Sequence, residues 1–361
     1  MWHYTCNGKE FLNKFSAINE NIISKHPIHF HMPDAYDNFD FSKEPNETWH
    51  DILKQEAINV RDSYKTVKLW YSGGVDSHLV LNTFLKNDIH VDEICCMKSG
   101  FENADHEITD YAEPFLKSIQ KQIPRTKINV INPTITDYEN FYAGNSPIDW
   151  NTTFRLIYHT ELLKDQHQQK GTINVFGANP PLLVYKEGKW YTYWTDGDLE
   201  PNRRKHNFFA DNPLVHAKQC HMLVNAIKRT KFNYTTICLW PDEESQHFYR
   251  KHTGRYDHGK TFPLKKLYFG QSENNYFMAG NQKICYTNHK ERHAIQKSLE
   301  KYPHLITSWK EKLHSQLDKK SSWWNDGTPE YGTMGILSKF HCLDAKISKT
   351  VDELYPDGFK I

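Results

Sequence analysis

The chain has 361 residues, enough for one large or two medium domains whose cores need no disulfide or metal staple. Lys plus Arg number 45 against 44 Asp plus Glu, so the net charge of +1 supplies no general field for nucleic acid or anionic lipid, and only a local basic patch stays open. With 20 Tyr, 20 Phe and 10 Trp the chain is not disordered, no run approaches the ~20 apolar residues of a membrane span, and the start MWHYTCNGKEF lacks the features of a signal peptide.

A soluble cytoplasmic protein is the expectation. The seven cysteines, at 6, 95, 96, 220, 238, 285 and 342, form no CxxC pair, which predicts reduced thiols. Residues 1–48 read as an N-terminal segment in which His26, His29 and His31 alternate. Such a triplet can bind a metal from one strand face or be a surface feature, and no acidic or Cys partner stands at ligand spacing. Next, Trp49, Ile52, Leu53, Ala57 and Val60 recur at helical spacing.

The stretch Val67–Tyr71 is apolar and aromatic over a strand's length and runs into Ser72, Gly73, Gly74, Val75, Asp76 and Ser77. The pattern predicts a strand, a tight turn and a helix that starts near Val75, buries Leu79, Val80, Leu81, Phe84 and Leu85, and stops at Asn87 and Asp88. A helix amino terminus offers unpaired N–H groups and the positive end of its dipole, so the turn reads as an anion site. Ser72 and Ser77 add hydroxyl donors. Asp76 suits a phosphate only through a Mg²⁺ ion, or else caps the helix. An ordinary strand-to-helix turn is the other reading of these residue types.

The string SGGVDS resembles the PP-loop, SGGxDS, of the ATP pyrophosphatases, the group of asparagine, GMP, NAD and lysidine synthetases and tRNA thiolation enzymes. All six positions agree, and the Gly-Lys-Ser/Thr ending of a Walker loop is absent. The resemblance implies an α/β fold of the adenine nucleotide α-hydrolase kind, a parallel sheet with helices on both faces. It also implies a ligase that uses ATP and Mg²⁺, releases pyrophosphate and places AMP on a substrate oxygen. Ser72, Gly73, Gly74, Val75, Asp76 and Ser77 would hold ATP, with Asp76 and Ser77 in the catalytic role and Asp76 on the metal.

Further along, a second strand is predicted over His90–Met97. The resemblance puts its end beside the adenosine, so Cys95, Cys96 and Met97 are candidates for the adenine side of the pocket, against a plain buried strand end. A helix over His106–Gln120 and a strand over Lys127–Asn132 complete a strand, helix, strand, helix, strand unit, and right-handed crossovers make its sheet parallel. A helix over Thr152–Gln166 and a strand over Gly171–Phe176 lead to Gly177. In the synthetase domain of asparagine synthetases the corresponding turn is Gly-rich and acidic and helps to hold ATP and Mg²⁺. Gly177 matches, whereas Asn179, Pro180 and Pro181 stand where carboxylates belong. The nearest replacements are Asp196 and Asp198 in WTDGDLE, which also suits a solvated turn.

After residue 200 the pattern changes. Arg203, Arg204 and Lys205 can neutralise the triphosphate or form a solvated face, and the basic piece Phe248–Lys260 is a candidate lining of the acceptor pocket. Helices are predicted over Pro213–Lys228 and Leu299–Leu317, a strand over 234–240, and a loop-rich end. The division is an N-terminal segment 1–48, a nucleotide domain 49–200 and a mixed, loop-rich region 201–361 that completes the acceptor site. A glutaminase domain would need Cys as residue 2 and more than the 66 residues before the first strand; Trp2 stands there. Glutamine-derived ammonia is therefore not expected to be made in this chain; the expected partner is a small-molecule acceptor rather than nucleic acid, its nitrogen nucleophile undefined. A tRNA- or nucleobase-modifying enzyme and a non-catalytic ATP-binding regulator are the alternatives.

Overall fold

The computed structural model describes residues 3–102, 104–105, 108–143, 171–177, 182–194, 196, 205–229, 297, 300–325, 332–333 and 336–356. The chain opens with β1 (His3–Cys6), β2 (Lys9–Phe11), α1 (Lys14–Ser24) and β3 (Ile28–His31), the strands forming an antiparallel sheet in the order β2-β1-β3. Asn7 and Gly8 turn β1 into β2 with φ of 52° and 72°, the left-handed pair that a two-residue hairpin requires. Asn13 caps α1, its side chain accepting from the Ser16 N–H at 3.0 Å. Tyr4, Phe30 and Ala17 from this segment lie in the main core, so residues 1–48 are part of the central fold rather than an appendage.

The helix α2 (Asp34–Asp37) leads to α3 (Trp49–Ser63), which Thr48 caps and which delivers the chain into β4 (Thr66–Trp70). Then come α4 (Val75–Lys86), β5 (Glu93–Met97), a π-turn at Ile108–Ala112, α5 (Glu113–Ile119), β6 (Lys127–Ile131), α6 (Ile135–Ala143) and β7 (Thr172–Phe176). A hairpin of β8 (Leu182–Lys186) and β9 (Lys189–Tyr193) precedes β10 (Lys205–Asn207), α7 (Pro213–Arg229) and α8 (Pro303–His314). Near the end lie β11 (Phe340–Cys342) and β12 (Ser348–Lys349), which join the hairpin in an antiparallel sheet ordered β12-β11-β9-β8.

The central sheet is parallel throughout and ordered β10-β7-β4-β5-β6. Counted in chain order its five strands stand 3-2-1-4-5, so the direction of winding reverses between β4 and β7, where open α/β sheets form a crevice at the carboxyl ends. The sheet runs past the expected boundary at residue 200, because β10 is its fifth strand. Alternation sends Val67, Leu69, Ile94, Cys96, Ile173 and Val175 to one face, where they share a core with α3, α4, α5 and α7. The opposite face is polar at its middle. Glu93 meets Lys127 at 3.1 Å and Lys68 at 3.6 Å, and Asn174 accepts from the Trp70 indole at 2.8 Å. Toward the carboxyl end of β5 this face also meets helices, since Met97 packs against the cluster that Tyr138 and Tyr142 of α6 form with Leu305 and Trp309 of α8.

Strand β10 is tied to α3 by a buried ionic cluster. His206 Nε2 approaches Glu56 Oε1 at 2.7 Å, an ion-pair distance without hydrogen-bond alignment, and His206 Nδ1 lies 3.7 Å from Asp211 Oδ2. Burial pushes the imidazole pKa down, but the Glu56 contact and the Asp211 charge outweigh it and the net direction is up. A raised folded-state value means that the stabilisation is fully present below the ordinary imidazole pKa, about 6.5, and is lost as pH rises through the raised value. Thermal unfolding of wild type and His206→Gln is therefore expected to differ most at about pH 6 and to converge with rising pH; a gap that widens toward alkaline pH would refute this.

Candidate functional site

The turn after β4 is built by its own side chains. Gly73 has φ of +78°, a left-handed value that a glycine reaches without strain, while Gly74 at −71° needs no such freedom. Ser77 is buried; its hydroxyl donates to the Gly74 carbonyl at 3.0 Å, accepts from the Ser72 N–H at 3.2 Å and lies 3.2 Å from the Ser72 hydroxyl. The Gly74 N–H reaches the Ser72 hydroxyl at 3.3 Å. These contacts close the turn around the start of α4, whose first amides have no intrahelical acceptor by geometry. Gly74 occupies the N-cap with no side chain over the helix end. Asp76 sits half-buried in the first turn, where a carboxylate suits the dipole.

Strand β7 closes the other wall of the turn. A β-carbon at Gly177 would lie 2.7 Å from the carbonyl carbon and oxygen of Asp76 and 2.8 Å from the Ser77 nitrogen, so only glycine fits. The residue expected to belong to the nucleotide site thus touches the loop backbone directly. Beneath the turn, His78 is buried with its Nδ1 3.0 Å from the Tyr71 hydroxyl, and Phe115 of α5 packs edge-on to its ring at 4.9 Å. Burial pushes the Tyr71 phenol up, so it stays neutral.

The second strand splits the sulfur candidates. Cys96 faces the core and is fully buried; burial, with the Glu113 charge, pushes its thiol up to about 12. Its side chain is turned into the core, so any contact with a nucleotide on the adenine side would fall to its backbone. Cys95 and the half-buried Met97 take the other face, where Trp70 stacks on Phe176 at 5.5 Å and 8°. Met97 is thereby the member of the trio placed at a strand end beside the turn.

Asp196 is engaged by protein partners. Its carboxylate is buried, with Oδ2 2.7 Å from the equally buried Lys14 Nζ and accepting from the Tyr4 hydroxyl at 3.1 Å, while Oδ1 accepts the Ile336 N–H at 2.9 Å. Both oxygens serve the junction of α1 with the chain before β11. Lys205 begins β10, and its Nζ stands 5.0 Å over the ring of Phe176, the residue before Gly177. Asp198, Arg203, Arg204, Asn179, Pro180, Pro181 and the segments 152–166, 234–240 and 248–260 lie outside the described residues. Among the described residues no group of three or more His, Cys, Asp or Glu is placed to hold a metal, His29 and His31 included.

The described cysteines, Cys6, Cys95, Cys96, Cys220 and Cys342, are free thiols, and no described helix is long and apolar enough to cross a membrane. Residues that sequence reasoning passed over are Lys14, Tyr71, His78 and the pair Lys98–Glu113 at the end of β5. A histidine one step past a turn, on the buried side of a helix, was the available signal for the Tyr71 contact. The class that fold and site define is an α/β protein with a glycine-containing strand-to-helix turn at the reversal point of its parallel sheet. No protein-family model matches the chain, and no curated protein is significantly similar to it.

Proposed function

We propose that the chain is an AMP-forming ATP pyrophosphatase of the PP-loop kind, a ligase that activates a carboxylate or amide oxygen for attack by a nitrogen nucleophile. The observation that carries this reading is the position of SGGVDS: it joins the first strand of a 3-2-1-4-5 parallel sheet to its helix, at the reversal point, with Gly177 pressed against its backbone. In this reading the amides at the start of α4 and the Ser72 hydroxyl hold the β- and γ-phosphates. The acceptor oxygen attacks the α-phosphorus, the bond to the β-phosphate bridging oxygen breaks, and AMP stays on the acceptor. The fixed N–H groups then stabilise charge that grows on the departing pyrophosphate.

Mg²⁺ takes one or two carboxylates plus phosphate oxygens, so Asp76 is the described residue that would hold it beside a bound nucleotide, where it would neutralise phosphate charge. A second reading, a non-catalytic ATP-binding regulator, draws on the commitment of Asp196 to Lys14, which leaves Asp76 as the single candidate carboxylate described at the turn.

Incubation with Mg²⁺, ATP labelled at the α-phosphate, and separate pools of amino acids, carboxylated nucleobases and tRNA separates the readings. AMP or an AMP adduct with pyrophosphate, in one pool only, is expected. ADP as the main product overturns the proposal, and tight ATP binding without turnover in any pool favours the regulator.

A further inference from the structure

We propose that Lys98 is the cation that receives the phosphate chain at this turn, exchanging Glu113 for a phosphate oxygen when the nucleotide binds. The inference rests on the ATP reading above and adds a residue that the turn itself lacks, since Ser72–Ser77 contains no basic side chain.

Position is the first argument. Register pairs Trp70 with Cys95, and the Tyr71 N–H donates to the Cys95 carbonyl at 2.8 Å, so the turn that follows Tyr71 leaves the sheet beside the carboxyl end of β5, which Lys98 directly follows. Adjacent strands are about 4.8 Å apart. Of the five strands of the central sheet, only β5 continues into a basic residue within two positions of its described carboxyl end; the others run into Tyr71-Ser72, Asn132-Pro133, Gly177 and Phe208-Phe209.

Its backbone is fixed while its charge is exchangeable. The Lys98 N–H donates to the Ile131 carbonyl at 2.9 Å, the Tyr138 hydroxyl donates to the Ser99 carbonyl at 2.6 Å, and Gly100, with φ of +75°, lies so close to the Pro133 carbonyl that no side chain fits. The Lys98 side chain is 23% exposed, and its Nζ sits 2.6 Å from Glu113 Oε1, a contact that lacks hydrogen-bond alignment. Glu113 begins α5, two residues before the Phe115 that packs on His78, so the pair stands between the amino ends of α4 and α5. Lys117, 3.8 Å from Glu113 Oε2, is positioned to keep the carboxylate paired once Lys98 leaves it. A phosphate bearing full charges competes well against one misaligned carboxylate for an ammonium.

The two partners must then act in opposite directions, which a merely structural ion pair would not do. Calorimetric titration of the full chain with MgATP and with inorganic pyrophosphate is expected to show Lys98→Met weakened about tenfold or more toward both, Lys98→Arg restored to within a few-fold, and Glu113→Gln strengthened severalfold. Equal affinity of Lys98→Met and wild type for both ligands overturns this inference alone. So does a loss of affinity in Glu113→Gln that matches that of Lys98→Met, because the pair then only supports the loop. Wild-type protein that binds neither MgATP nor pyrophosphate overturns the ATP reading and this inference with it.

Discussion

Lys14→Met is expected to destabilise the folded chain by about 3–5 kcal/mol, the range for stripping one partner from a buried ion pair. Lys14 and Asp196 are both essentially inaccessible to solvent, at 0% and 1% exposure, so the methionine leaves a buried carboxylate whose remaining partners among the described residues are the Tyr4 hydroxyl and the Ile336 N–H. Burial holds the lysine pKa below its ordinary value, with the Asp196 charge opposing it, and pushes the Tyr4 phenol up. The double replacement Lys14→Met with Asp196→Leu removes both charges and should recover most of the loss, since apolar replacements of a buried pair are often close to neutral. Urea unfolding of the two variants decides it: a single variant within about 1 kcal/mol of wild type would show that the pair carries little. The same series bears on the metal assignment, because a structural Asp196 costs the same stability with and without Mg²⁺.

How far the sequence could be read depended on the range of the interactions concerned. The strand–turn–helix around Gly73 was legible to within a residue or two, since β4 and α4 are specified by local alternation, by a glycine at positive φ and by the Asn87 stop. The N-terminal sheet carried a local signal too, Asn7-Gly8 between apolar positions, and the Glu187-Gly188 hairpin repeats it with φ of 53° and 75°. β10 carried none. Its three residues, Lys-His-Asn, have poor strand propensity and are held in the sheet by Asn174–Phe176 and by the Glu56 cluster, so the boundary drawn at residue 200 cut through the sheet.

The Asp196–Lys14 pair was hidden for the same reason, because WTDGDLE reads as a turn wherever it stands and the buried partner lies far back along the chain. Cys96 shows a finer limit. A period of two assigns Cys95 and Cys96 to opposite faces, but which face is core depends on helices elsewhere in the chain.

Gly177→Val is expected to cost at least tenfold in MgATP affinity together with about 1–3 kcal/mol of stability, the range for overpacking a tight contact. The atoms that a β-carbon would strike are the Asp76 carbonyl and the Ser77 nitrogen, both backbone and both in the first turn of α4. Relief therefore requires the helix start or the end of β7 to move, and the N–H groups proposed to hold the phosphates move with it. Gly74 is the matched comparison. A β-carbon there would meet only the Ser72 hydroxyl, at 3.2 Å, and its φ of −71° suits any residue, so Gly74→Ala should change stability by well under 1 kcal/mol. Gly73→Ala falls between the two, with the ~1 kcal/mol strain of a side chain at φ of +78°. Thermal unfolding and ATP calorimetry of the three variants should rank them Gly177, Gly73, Gly74 in descending severity. If Gly177→Val matched Gly74→Ala in both measurements, the close approach of β7 to the turn would have no energetic consequence, and the wall it forms could not be what positions the anion site.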